Sequence, residues 1–283
     1  MYGGPKVLVY PCAQGRLSSG RSRLLRFPRG FSVPTSLAVY GLWSHPWLLL
    51  YAAVVVFAAF YVRAVIGFGS GLISVAFLSL LFPIKEVVPV VLLLDLLGSF
   101  VLGTYDFREI RWPELRWLVP GSLAGLVVGS FILADSDAQR LTLFLGVFIL
   151  AYVLYAIALR PERLPRVGLA WGLPLGLLGG VVGSLYGGGG PPLVAFLQMR
   201  HLDKRAFRAT FQGIALTDNV VRMIIYIGLA LLTLPLTGGA LLLTLPVLGG
   251  LWAGNHLHFR INERMFLRAT LLVLAAVGVK YLI

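Results

Sequence analysis

Residues Val167 to Met199 read VGLAWGLPLGLLGGVVGSLYGGGGPPLVAFLQM, with no charged side chain anywhere in the stretch. A helix needs roughly 20 apolar residues to cross ~30 Å of bilayer hydrocarbon, so this run exceeds one crossing. One straight helix is excluded too, because Gly187-Gly188-Gly189-Gly190-Pro191-Pro192 lies inside it. Each such glycine costs ~1 kcal/mol against alanine in a helix interior, and proline more. The run reads as a full span, a break, and a shorter second helix. Met223 to Phe259 is another stretch without Asp, Glu, Lys or Arg. In hydrocarbon every backbone polar group must pair within the protein, which leaves helices or closed barrels. Barrel strands alternate over ~10 residues, whereas these runs are continuous. The fold class is all-α, a polytopic transmembrane bundle.

Composition agrees. Of 283 residues, 58% are hydrophobic and 12% charged, and the mean hydropathy is +0.88, so no charged coat is available for a soluble surface. The net charge of +13 sits mainly in the N-terminal leader and in short loops between apolar runs. Basic loops of that kind face the cytoplasm and its anionic lipid. No basic face is long enough to track a phosphate backbone, which argues against nucleic acid. Cys12 is the one cysteine, so neither an intramolecular disulfide nor a cysteine metal cluster forms.

Residues 1–45 hold Lys6, Arg16, Arg21, Arg23, Arg26 and Arg29 without an acidic residue. They lack the small-residue cleavage site of a secretory signal and read as a basic, poorly ordered leader. Ten apolar segments follow, at 46–66, 71–83, 87–105, 117–134, 141–159, 167–186, 190–200, 209–229, 237–254 and 267–283. Eight are long enough to span. The other two, 71–83 and 190–200, are short, and each follows a glycine cluster.

The chain repeats itself. Gly69-Ser70-Gly71-Leu72-Ile73-Ser74-Val75-Ala76-Phe77-Leu78 matches Gly188-Gly189-Gly190-Pro191-Pro192-Leu193-Val194-Ala195-Phe196-Leu197 at a constant offset, which also carries Lys85 onto Lys204. Residues 46–160 and 161–283 thus form two repeats of five segments. An odd number of crossings per repeat makes them inverted. Ten crossings bring the basic loops 106–116, 160–166, 200–208 and 255–268 to one side, and 135–140 and 230–236 to the other. The leader's charge falls on the opposite side from the basic loops, against the same rule.

The glycine clusters are the first functional candidates. Glycine lets the backbone approach a ligand, and proline suits the first turn of a following helix. Two broken helices would offer free N–H groups and positive dipole ends from Gly69, Ser70 and Gly71 and from Gly188, Gly189 and Gly190. Four charges lie inside the spans: Arg63, Asp95, Asp218 and Arg222. Such residues face a partner or a watery cavity. Asp218 and Arg222 are one turn apart and can pair, with the planar fork of Arg222 available to an anion. Asp95 is a candidate proton carrier or a partner for either arginine. Gln212, Thr217 and Asn219 lie on the helix of Asp218 and are candidates for the substrate pathway, Gln212 and Asn219 as substrate-binding residues, or else polar contacts between helices. His256 and His258 lack the company of a metal site. Trp43, Trp47, Trp112, Trp117, Trp171 and Trp252 fall near span ends, as belt residues do.

At the two glycine clusters, and at Leu202-Asp203-Lys204-Arg205-Ala206-Phe207-Arg208-Ala209-Thr210, the sequence resembles the sulfite exporter TauE/SafE family, also called the toluene-sulfonate uptake permeases. The resemblance covers residues 46 to 283; Phe68 and Ser70 depart from the family's usual Gly-Gly-Gly in the first half. It implies transport of sulfite, a sulfonate or a sulfoacetate-like anion across the inner (plasma) membrane. From the residues alone, the substrate is a small inorganic or organic anion. The expected protein is a secondary transporter working by alternating access. It is a multi-pass membrane protein in contact with lipid, with no cofactor, no metal, a proton as the candidate coupling ion, and a homo-oligomer left open. An anion channel or a carrier of a non-sulfur organic anion shares these features. No ATP-binding loop is present, and no span offers the nucleophile–base pair of an enzyme.

Overall fold

The computed structural model describes residues 36, 37, 42, 45–158, 164–187, 189–257 and 263–283. The leader apart from those few positions, with Cys12, Trp43, Arg160, Arg163, Gly188, His258 and Arg260, lies outside them. So do the side chains of Arg264 and Arg268. Among the described residues there is no strand. The helices are α1 (Pro46–Ile66), α2 (Ser70–Leu78), α3 (Ile84–Asp106), α4 (Trp112–Asp135) and α5 (Ala138–Ala158), then α6 (Gly172–Tyr186), α7 (Gly190–Met199), α8 (Lys204–Gly228), α9 (Leu234–Leu242), α10 (Thr244–Leu257) and α11 (Glu263–Leu282).

Six helical stretches among the described residues are long and apolar enough to cross a membrane: α1, most of α3, α4, α5, Leu169–Tyr186 and Leu234–His256. Two of the eight expected spans fall short for different reasons. The 25-residue α8 has the length but carries the polar side chains of the site. In α11 only Thr270–Leu282 counts as apolar helix, which is shorter than a span. The expected segment 237–254 starts earlier and is interrupted at Leu243. Pro246 explains the interruption, since it has no N–H for Leu242 and its ring crowds that carbonyl.

The bundle is apolar outside and polar within. Phe100, Phe131, Phe144, Leu154 and Ile224 are exposed, whereas Arg63, Asp95, Asp218 and Arg222 are buried. That inversion suits a molecule whose solvent is lipid. Trp47, Trp112, Trp117, Trp171 and Trp252 are also exposed at helix ends, where an indole meets the membrane interface.

The breaks fall where the glycines are. Gly67 ends α1 at φ 100° and donates its N–H to the Arg63 carbonyl at 2.7 Å; Gly69, at φ 99°, starts α2. Gly187 ends α6 at φ 78°, and α7 begins with Pro191 and Pro192 in its first turn. Side chains rarely adopt such φ values, so glycine is the residue that fits.

Glycine also sets the closest helix pairs. A Cβ on Gly125 or Gly129 of α4 would strike the carbonyls of Leu177 or Val181 in α6. A Cβ on Gly250 or Gly254 of α10 would strike those of Phe57 or Tyr61 in α1. Small residues permit this backbone-to-backbone approach, which gives helix packing its strength where water supplies no hydrophobic drive.

The loops converge at two ends. Arg200 bridges Glu114 at 3.4 Å and donates to the Val167 carbonyl at 2.7 Å, and the Arg111 amide donates to Thr210 Oγ1 at 3.0 Å. These contacts tie the basic loops 106–116 and 200–208 together and to the start of the Leu169–Tyr186 span at one end. The other end joins Lys85 Nζ to the Ala134 carbonyl at 3.1 Å.

Candidate functional site

The two short helices start against a common cavity of about 30 Å³. Gly69, Ser70 and Gly71 of the first break line it with Gly189 of the second. Arg63 arrives from α1, Asp95 from α3, and Asp218, Asn219 and Arg222 from α8. An apolar cavity of ~150 Å³ takes a benzene, so the space here suits an ion of a few heavy atoms at most.

The first-half charges pair. Arg63 Nη1 donates to Asp95 Oδ1 at 2.8 Å and to Ser70 Oγ at 3.1 Å. Ser70 Oγ itself donates to Asp95 Oδ1 at 2.5 Å. Arg63 Nη2 donates to Ser99 Oγ at 2.6 Å and Gln212 Oε1 at 2.8 Å. Gln212 Nε2 then reaches the Gly67 carbonyl at 2.7 Å, bracing the first break from α8. Gln212 thus supports the site from behind Arg63. Asp95 is the arginine's counter-ion.

The second-half charges do not pair as their spacing suggests. Arg222 lies on the same helix one turn from Asp218, yet its Nη2 donates to Asn219 Oδ1 at 2.9 Å and its Nη1 to the Gly183 carbonyl. Asp218 Oδ2 accepts instead from Ser122 of α4. Both are buried, and no ion pair joins Arg222 to a carboxylate among the described residues. The side chains opposite α8 decide this outcome: Ser122 and the Gly183 carbonyl are at hand and compete with the neighbour on the same helix. Thr217 bonds back to the Gly213 carbonyl at 3.0 Å and stays out of the site.

Asn219 Nδ2 donates to Ser99 Oγ at 3.3 Å, so one hydrogen-bonded chain runs Asp95–Arg63–Ser99–Asn219–Arg222. Four buried atoms around it have no protein partner: Arg63 Nε, Asp95 Oδ2, Asp218 Oδ1 and Arg222 Nε. A buried unsatisfied polar atom costs ~1–3 kcal/mol, more when charged, so this cluster holds unused hydrogen-bonding capacity. The two arginines and two aspartates sum to zero formal charge.

The two helix starts differ. The first-turn N–H groups of α2, on Ser70, Gly71 and Leu72, have no intrahelical acceptor. In α7 Pro191 and Pro192 carry no N–H, which leaves Gly190 as the first-turn donor. Gly189 is also a packing glycine, since a Cβ there would strike the Gly179 carbonyl. Gly190 lines a neighbouring apolar cavity, and Gly188 lies outside the described residues. Ser99, Ser122, Gly183 and Phe211 belong to the site without having been singled out in the sequence. Ser99 had a signal: it sits four residues after Asp95, on the same helix face.

The Sulfite exporter TauE/SafE family model matches residues 51–281. Over 121 residues the chain is 28% identical to the probable inner membrane transporter protein TsaS of Comamonas testosteroni, covering 42% of this chain and 50% of that one. It is 34% identical over 143 residues to the probable sulfite/organosulfonate exporter TauE of Cupriavidus necator, covering 48% and 56%. The matched part thus spans about half the length of these curated relatives. No solved structure gives a significant match. With the family model running through almost every described helix, the chain belongs to the sulfite exporter TauE/SafE family.

Proposed function

We propose that the protein is a secondary transporter of the inner membrane that carries a small sulfur-containing anion by alternating access. The observation that carries this reading is Arg222. It is a fully buried cation without a carboxylate contact, on a cavity that also receives the free amides of α2. Its Nε–H has no protein acceptor, and an incoming anion supplies one. A tetrahedral or pyramidal oxyanion such as sulfite or a sulfonate matches a guanidinium edge and amide donors. Arg63, already neutralised by Asp95, shapes the wall.

Charge balance makes a proton the coupling ion. The empty site is neutral, so an anion alone would leave it negative in a low-dielectric setting. Asp218 Oδ1 is unpartnered and its Oδ2 is held by a neutral serine, which makes it the group to take the proton. The inverted five-plus-five frame has support in the glycine seams. By order in the two repeats α1 corresponds to α6 and α4 to α10; carbonyls of Leu177 and Val181 in α6 face Gly125 and Gly129 of α4, and those of Phe57 and Tyr61 in α1 face Gly250 and Gly254 of α10. The same carbonyl-on-glycine contact therefore occurs twice, with the roles of the repeats exchanged.

The test is anion affinity on folded, purified variants. Arg222→Ala should weaken sulfite binding at least ~100-fold, since charge-assisted hydrogen bonds are worth ~1.5–3 kcal/mol each. Arg222→Lys should weaken it too, because an ammonium lacks the planar fork. Unchanged affinity in both variants would reduce Arg222 to a structural role. Asp218→Asn should leave flux that no longer responds to a pH gradient.

A further inference from the structure

A second cavity, also about 30 Å³, lies on the far side of the first glycine break. Its walls are Ile66, Leu72, Ile73, Leu271 and Leu274, with Tyr152 and Phe68, and no charged residue lines it. Gly69 lines both cavities, and the consecutive Gly189 and Gly190 line one each. A Cβ built on Gly69 would meet nothing within 4 Å, so the space beside this shared wall residue is unfilled. The Phe68 ring, which walls the apolar cavity, lies 5.9 Å from the Phe211 ring that walls the charged one.

We propose that this apolar cavity holds the organic substituent of the anion whose charged head sits at Arg222. Short alkylsulfonates are then the preferred substrates. The inference rests on the anion-carrier reading and narrows it. A charged compartment and an apolar one of equal size, both walled by the same residue without a side chain, match a molecule with a sulfonate head and a short hydrocarbon tail. The same walls reject other sulfonates. Taurine would place an ammonium, and sulfoacetate a carboxylate, where the lining offers only the hydroxyls of Tyr152 and Thr270 and no charge to compensate lost hydration. Sulfite leaves the apolar cavity unfilled.

The experiment measures binding to the purified full chain for sulfite, methanesulfonate, ethanesulfonate, propanesulfonate, butanesulfonate and taurine, with competition for flux in proteoliposomes. Affinity should rise about fourfold per methylene from methane- to propanesulfonate, the value of burying one CH₂. Taurine should bind at least ~10-fold more weakly than ethanesulfonate. Two variants should act in opposite directions. Gly190→Ala adds a methyl that meets only Phe68, at 3.8 Å, so it fills the cavity without a clash and should flatten the gain with chain length. Leu274→Ala enlarges the cavity and should extend the gain to butanesulfonate. A mere loss of stability would not shift chain-length preference in opposite senses. If sulfite binds but affinity is flat across the alkyl series, or taurine matches ethanesulfonate, the proposal is overturned while the anion site stands. If tightly held lipid blocks the alkyl dependence, the cavity belongs to an acyl chain and the proposal is again overturned. Failure of every anion, sulfite included, would overturn the anion-carrier reading with it.

Discussion

Breaking the Arg63–Asp95 pair from either side should destabilise the protein, and by unequal amounts. The pair is 2.8 Å long, and its side chains are 3% and 2% exposed. Removing one member of a buried pair costs about 3–5 kcal/mol, because the other charge is left without compensation. Asp95→Asn leaves a guanidinium that cannot shed its proton, so its cost should fall at the top of that range. Arg63→Met leaves a carboxylate that can take up a proton and keep its bond to Ser70, so its cost should fall at the bottom. The double variant Arg63→Met/Asp95→Leu removes both charges. It forfeits the bonds to Ser70, Ser99 and Gln212, each worth ~1 kcal/mol net, and gains apolar contacts. Its cost should stay below about 3 kcal/mol, against a sum of at least ~6 for the singles, a coupling of roughly 3 kcal/mol or more. The assay is equilibrium unfolding in mixed micelles, followed by tryptophan fluorescence at neutral pH. Additive costs would show that the pair does not act as a unit. So would an Asp95→Asn variant within ~1 kcal/mol of the parent.

Two further outcomes are expected. Gly189→Ala should lower stability by ~1–3 kcal/mol with flux lost in proportion, because its methyl meets the Gly179 backbone and not the cavity; a variant of parental stability would contradict the α6–α7 packing. With Cys12 replaced, single cysteines at Lys204 and Asp137 should label from opposite faces of intact cells; labelling from one face would end the inverted arrangement.

Much of the fold is legible because glycine and proline carry local, nearly context-free costs. The run from Gly187 to Pro192 stops one helix and starts another whatever surrounds it, and the observed α6 and α7 meet at those residues. The four intramembrane charges likewise announce an interior site, since lipid gives them no other place. Their pairing was legible only in part: Asp95 was open as a partner for either arginine, and it pairs with Arg63. Asp218 and Arg222 are neighbours on one helix, but Asp218 bonds Ser122 of α4, and Arg222 divides its bonds between Asn219 and the Gly183 carbonyl of α6. Ser122 gave little warning, because a hydroxyl in a span commonly bonds its own helix backbone, as Thr217 does. The part played by Gly189 was hidden for the same reason: whether a glycine makes room for a ligand or for another helix depends on what stands opposite.

The packing also constrains what can move under the proposed mechanism. Each glycine seam joins helices from different halves, α4 with α6 and α1 with α10, and backbone contact of that kind slides poorly because the chain itself interlocks. The two repeats are therefore poor candidates for rigid bodies that rock as sequence units. The contacts suited to opening are the polar ones around the cavity: Arg63 to Gln212, Asn219 to Ser99 and Asp218 to Ser122. Each joins one half to the other and is worth only ~1 kcal/mol net, since water can replace the lost partner when the cavity opens. Opening between α8 and the helices facing it then separates these bonds, with those of Gln212 to Gly67 and Arg111 to Thr210, while both seams stay closed. It also exposes Arg222 and Asp218 together, so anion and proton reach the site along one path.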